Sequence, residues 1–270
     1  MLPKRFGICL LVLGTVAGAG VATSATETPV LKRIVETGTI RIGMSGAQAP
    51  LNAKSRSGEL IGLEVDLAKY LGDSLGVEVE FVTRPFPELL TSLQKSEVDI
   101  VMSGMAMTAE RSLEAVFVGP YMLSGKSILT NSAEIASTLG ADALNRADLT
   151  FAALRNSTSV TFVEKRLPKA KLVTVENYDA AIQALTQGEI DGLVADLPAC
   201  VFMVLRHADE NLMTLQAPLT VEPIGIAVPA SEIPLQMLLD NYMSAYEDSG
   251  FLEMLQVEWL EKDDWLAQIP

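Results

Sequence analysis

The chain has 270 residues, 49% hydrophobic and 20% charged, so it can bury a sizeable core and whole-chain disorder is excluded. A total of 34 Asp and Glu against 20 Lys and Arg gives a net charge of −14 without any basic stripe, which disfavours nucleic acid as a partner. With one His (His207) and two cysteines (Cys9 and Cys200), a zinc or haem site lacks ligands unless carboxylates build it, and no metal or cofactor is expected.

Lys4 and Arg5 precede an apolar run over 6–21, and small residues follow before the first acid, Glu27. This is the layout of a secretory signal, and the run is short for a membrane span. Residues 1–25 are therefore expected to be a signal peptide cleaved after Ala25 or slightly earlier; the alternative is an uncleaved anchor. Cleavage moves the net charge to −16 and leaves Cys200 alone, so no internal disulfide can form.

From Gly38 onward, short β-branched runs alternate with helical patterns. Strands are expected at 39–44, 77–82 and 98–104, with helices at 62–75 and 86–96 between them. A second run gives strands at 149–154, 171–175, 190–195 and 211–216. Its helices fall at 159–167, 178–188 and 197–208. Extended segments at 124–132 and 218–229 link the runs, and helical patterns at 234–248 and 251–260 close the chain. Two such α/β runs predict parallel strands flanked by helices, in two lobes joined by two crossings with a ligand cleft between them. A pair of crossings also suits hinged closure. The boundaries expected are 26–125 plus 222–270 for the first lobe and 126–221 for the second.

The stretch over 98–111, VDIVMSGMAMTAER, carries the most chemical information. Ser103 and Gly104 open a loop, Thr108 is placed to cap a helix, and Arg111 falls in its first turn. A cation there opposes the helix dipole. Either Arg111 turns into the cleft and forks onto a ligand carboxylate, or it makes a surface ion pair with Glu110 or Glu114. Asp196 ends a strand and precedes Leu197 and Pro198, so it either caps the next helix or receives a ligand ammonium. Ser157 and Thr158 follow a strand, and they either hold an anion or cap the helix. Gly119 to Ser127 resembles a P-loop but has one residue too many between its glycines and no helix pattern after it. No G-x-S-x-G elbow exists, and His207 sits late in a helix, where it suits the C-terminal dipole.

The segments GTIRIGMSG, GELIGLEVDLAKYLGDSLG, PELLTSLQKSEVDIVMSGMAMTAER, QALTQGEIDGLVAD and EPIGIAV occur in that order over about residues 30–266. Together they resemble the extracellular solute-binding proteins of family 3, the amino-acid receptors of ABC importers. The resemblance implies a type II periplasmic-binding-protein fold that closes on its ligand, acting as a monomer in the periplasm and delivering to a membrane permease. It implies that Arg111 binds the α-carboxylate and Asp196 the α-ammonium. It further implies that the loop around Gly104 supplies backbone donors, that Thr158 reaches the carboxylate from the other lobe, and that Phe86 stacks on the aliphatic part.

Three departures from the family pattern bear on specificity. Ala106 stands where relatives carry Ser or Thr, Gln48 where an aromatic often lies over the ligand, and Asn156 where a Gly begins the second anion loop. Ser45 takes a position that is acidic in receptors for Lys and Arg, which argues against a strongly cationic ligand. An enzyme on the same scaffold is the alternative, since cyclohexadienyl dehydratases resemble the family. They need a Glu general acid three residues after the strand-end Asp, and here that position is Ala199. A sensory module for a membrane partner is a third reading. The expectation is a binding protein without catalytic residues.

Overall fold

The structure is a computed structural model that describes residues 29–270; the secretory-signal reading of 1–25 lies outside the described residues. Among the described residues, no helix is long and apolar enough to cross a membrane.

The chain opens with α1 (Pro29–Thr37) and β1 (Thr39–Met44). Three short strands follow, β2 (Ala47–Gln48), β3 (Asn52–Lys54) and β4 (Leu60–Ile61). Next come α2 (Leu63–Leu75), β5 (Glu78–Thr83), α3 (Leu89–Gln94) and β6 (Ile100–Val101). The first crossing is the pair β7 (Ala115–Ser124) and β8 (Lys126–Thr130). The second α/β run holds α4 (Ala133–Ala136), β9 (Thr150–Leu154), α5 (Thr158–Arg166), β10 (Lys171–Val175) and α6 (Tyr178–Thr186). It continues through β11 (Gly192–Asp196), α7 (Leu197–Arg206) and β12 (Met213–Thr214). The chain returns by β13 (Glu222–Pro229) and ends with α8 (Ile233–Asp248), α9 (Phe251–Gln256) and a short tail.

Two five-stranded sheets result. The first is ordered β5-β1-β6-β13-β7 and the second β10-β9-β11-β8-β12. β1 runs parallel to β5 and β6, whereas β13 runs antiparallel to β6 and β7. In the second sheet β9 is parallel to β10 and β11, and β8 is antiparallel to β11 and β12. Each sheet is thus a parallel βαβ core closed by an antiparallel strand from a crossing. The architecture is the two-lobed α/β fold of type II periplasmic binding proteins.

α2 lies close on its sheet because Gly72 has no side chain; a methyl there would come within 2.4 Å of Val79 Cγ2. The apolar positions Leu63, Leu67 and Leu71 of α2 fall on its buried face, as the three-and-four spacing predicts. The helix stops at Gly76, whose left-handed φ of 67° suits glycine.

Several expected elements are shorter than the pattern suggested. The strand at 98–104 pairs only over Ile100–Val101, because the chain turns at Gly104, where φ is 58°. The helix at 86–96 begins as a single 3₁₀ turn over Phe86–Glu88, between Pro85 and its α-helical continuation. The helix expected around Arg111 is one 3₁₀ turn, Arg111–Leu113, so no helix dipole of consequence acts there. α1 and the small β2-β3-β4 sheet carried no predicted element.

Candidate functional site

On the first lobe the site is floored by a carboxylate that sequence reasoning passed over. Glu64, in the first turn of α2, is fully buried behind the loop that follows β6. It accepts from the Gly104 N–H (2.6 Å), from Asn52 Nδ2 (2.5 Å) and from the Tyr121 hydroxyl. Burial raises the Glu64 pKa above its ordinary value, and the three donors oppose that rise. The Gly104 amide is therefore committed to a protein carboxylate rather than left for a ligand. Beside it, the Ser103 hydroxyl donates to Gln48 Oε1 (2.8 Å) and accepts from the Ser45 N–H (3.0 Å). The Ser45 hydroxyl donates to Asn52 Oδ1 (2.9 Å). Ser45 and Gln48 thus belong to one polar network that anchors the turn.

Arg111 leaves its 3₁₀ turn toward the other lobe. The Thr108 hydroxyl accepts from the Arg111 amide at 3.2 Å, so Thr108 does cap, although it caps a turn and not a helix. The Arg111 side chain is 9% exposed. Its Nη1 donates to the Ala106 carbonyl (3.0 Å) and its Nη2 to the Asn156 carbonyl across the cleft (2.9 Å). The guanidinium carbon lies 5.7 Å from the centre of the Phe86 ring, a cation–π arrangement. Arg111 makes no ion pair with Glu110 or Glu114, and no carboxylate among the described residues lies within salt-bridge distance of it. Burial lowers its pKa, an effect the more distant charges of Asp196 and Glu222 oppose.

On the second lobe, Asn156 holds a left-handed φ of 57°. Asn tolerates that conformation better than other residues with side chains, which accounts for its standing where relatives have Gly. Its amide donates to the Pro87 carbonyl at 3.3 Å, a second bond between the lobes. Ser157 occupies the cap position of α5, yet its hydroxyl donates back to the Leu154 carbonyl (2.6 Å). Thr158 donates to Glu222 Oε2 at 2.8 Å.

Asp196 stands at the N-cap position of α7 without a side-chain cap bond. Its Oδ1 instead takes the Lys126 ammonium at 2.6 Å, and the same Nζ lies 3.0 Å from Glu222 Oε2. Lys126 and Asp196 are register partners across β8 and β11. Burial would lower the Lys126 pKa, but Asp196 and Glu222 outweigh it and hold the amine charged. In the sequence Lys126 stood out only as part of a false P-loop; the signal missed was a lone cation inside an otherwise apolar extended run, which must find partners when buried. Glu222 was passed over for a similar reason, since its partners come from distant segments.

Two cavities flank Phe86. One, of about 600 Å³, is bordered by Phe86, Arg111, Thr108, Asn156, Ser157 and Thr158. The other, of about 480 Å³, is bordered by Phe86, Ser45, Gln48, Leu154 and Tyr178. The fold therefore brings Phe86, Arg111, Ser157 and Thr158 around one space, and Ser45 and Gln48 around the next. Ala106 contributes its carbonyl to Arg111, and Asp196 sits in the hinge-side charge cluster. Cys200 is buried behind that cluster, and burial pushes its thiol up to about 12. His207 follows α7 with its Nδ1 3.1 Å from Glu210.

Residues 40–262 match the model of the bacterial extracellular solute-binding proteins, family 3. The cyclohexadienyl dehydratase of Pseudomonas aeruginosa is 25% identical over 260 residues, covering 96% of this chain and 97% of that protein. The L-cystine-binding protein of Escherichia coli K12 is 25% identical over 257 residues, covering 94% of each. Among solved structures, an ancestral amino-acid-binding protein described as a precursor of cyclohexadienyl dehydratase superposes with a TM-score of 0.77 at 32% identity, covering 85% of this chain and 99% of that one. The chain belongs to the bacterial extracellular solute-binding proteins of family 3.

Proposed function

We propose that the protein is a periplasmic receptor that captures an amino acid or a related small carboxylate between its lobes and delivers it to an ABC importer. Arg111 carries this reading. It is a buried guanidinium bordering the cleft, bound to two backbone carbonyls and paired with no carboxylate among the described residues. A buried charge left without a counter-ion is costly, and a ligand carboxylate supplies one in the fork geometry that arginine favours. Phe86 offers its ring beside that anion, and the lobes meet through the Arg111–Asn156 bond. The test is a thermal-shift screen of residues 26–270 against amino acids and their small carboxylate relatives. A ligand at 100 times its dissociation constant should add about 2.7 kcal/mol of stability. Absence of any shift across the panel would overturn the reading.

Similarity to a dehydratase gives the enzyme reading its support, but the chain offers a methyl group at Ala199 where that chemistry needs a proton donor. Prephenate and arogenate should therefore pass unchanged through incubation with the purified protein; turnover lost on Arg111→Lys would instead establish an enzyme.

A further inference from the structure

An α-amino acid must bring its ammonium to a carboxylate, because a buried ammonium without a partner is strongly disfavoured. The two carboxylates at the hinge side of the cleft are Asp196 and Glu222, and both already hold the Lys126 ammonium, at 2.6 and 3.0 Å. Glu222 is further engaged by the hydroxyls of Thr158 (2.8 Å) and Thr220 (3.1 Å). Lys126 cannot easily move aside. It is 1% exposed, its backbone is fixed opposite Asp196 by the ladder of β8 and β11, and its amide donates to the Thr220 hydroxyl on the returning segment.

The charges also close without an ammonium. Lys126 lies between two anions, whereas Arg111 alone lacks a counter-ion within reach. A ligand with one carboxylate and no cation completes that arrangement. A zwitterion adds a positive charge beside a lysine that is already in place.

Resting on the receptor reading above, we infer that the ligand is a small α-hydroxy carboxylate, with its carboxylate on Arg111 and its α-oxygen on the Lys126–Asp196 pair. Lysine has three N–H donors, two of them committed here, so one remains for a ligand oxygen. Asp196 Oδ2 has no hydrogen-bond partner among the described residues and can accept the hydroxyl proton. A hydroxyl satisfies both groups at once. A keto oxygen satisfies only the lysine, and an ammonium satisfies only the aspartate while lying against the lysine charge.

The experiment uses matched pairs that differ only at the α-substituent: lactate and alanine, malate and aspartate, phenyllactate and phenylalanine, all as L-isomers. Calorimetric titration of the wild-type protein should show the hydroxy member of the accepted pair binding at least about tenfold tighter than its amino partner. The double variant Lys126→Met/Glu222→Gln removes one charge of each sign and uncovers Asp196, and it should reverse the preference toward the amino member. Its unfolding midpoint is measured alongside, and the wild-type comparison decides the matter even if the variant does not fold. If amino members bind wild type as tightly as hydroxy members, the inference is wrong while the receptor reading stands. If no member of any pair binds, nor any compound of the wider screen, the receptor reading falls and takes this inference with it.

Discussion

Arg111 and Lys126 are both buried cations in the cleft region, yet their surroundings assign them opposite tasks. Lys126 is neutralised internally by Asp196 and Glu222, whereas Arg111 meets only carbonyl oxygens and an aromatic face. Arg111→Lys keeps the charge but loses the fork that can hold two carbonyls and a carboxylate together. It should weaken binding of whichever ligand the screen identifies by about 2–5 kcal/mol, and calorimetric affinity equal to wild type would remove Arg111 from the site. Glu64 supports a different prediction. Its folded pKa is raised above 4.5, chiefly by burial, so the folded state holds this proton to higher pH than the unfolded chain does. Stability from this group is therefore present below 4.5 and is lost as pH rises from there through the folded value. Relative to Glu64→Gln, wild type should lose unfolding free energy over that window. Parallel stability curves in urea titrations from acid to neutral pH would show that Glu64 titrates as it does in the unfolded chain.

The crossing elements concentrate the geometry that matters to both lobes. At Gly125, between β7 and β8, a methyl group would come within 1.9 Å of the Thr220 carbonyl on the return. Gly125→Ala must push the two crossings apart beside Lys126, and it should cost about 1–3 kcal/mol or more by urea unfolding. A wild-type midpoint would mean that the crossings are loosely packed. Elements of this kind explain what the sequence made legible and what it did not. β1, β10 and the helices α2, α6 and α7 follow from local periodicity, because each buries one face against a sheet and repeats the apolar spacing that burial demands. The two-residue strands β2 and β6 are too short to carry a period, so they were unread or over-extended. At the site, Arg111, Phe86 and Thr158 were legible as residue types at strand or loop ends. The Glu64 acceptor cluster and the Lys126–Asp196–Glu222 group were not. Their pairing depends on register and on segments up to about a hundred residues apart, which no local pattern encodes. Asp196 shows the limit well: its position before Pro198 reads as a cap, but the cross-strand lysine outcompetes the α7 amides for its side chain.

At the scale of the molecule, the two lobes are joined by more than their crossings. After α9 the chain passes through Trp259 and Trp265, whose rings lie 5.4 Å apart. Trp265 then stacks on Phe202 of α7 in the second lobe, with ring centres 5.6 Å apart. The Arg56 guanidinium donates to the Ile269 carbonyl at 2.9 Å, tying the end of the tail back to the first lobe. One apolar cluster accordingly includes Ile40 and Ile42 of the first sheet, Leu129 and Leu193 of the second, and both tryptophans. A core continuous across the lobes makes their unfolding cooperative, so wild type should give one calorimetric transition with matching van't Hoff and calorimetric enthalpies. Trp265→Ala removes a large buried side chain at the only aromatic stack between the tail and the second lobe among the described residues. A loss of about 3–5 kcal/mol follows from the cavity left behind. For a chain of this size, that corresponds to a midpoint drop of roughly 6–20 °C. The variant should also unfold less cooperatively, because the lobes then share only the two crossings and the polar bonds from Arg111, Asn156 and Thr158. Two resolved transitions in wild type, or an unchanged midpoint in the variant, would show that the tail rests on the second lobe without holding it.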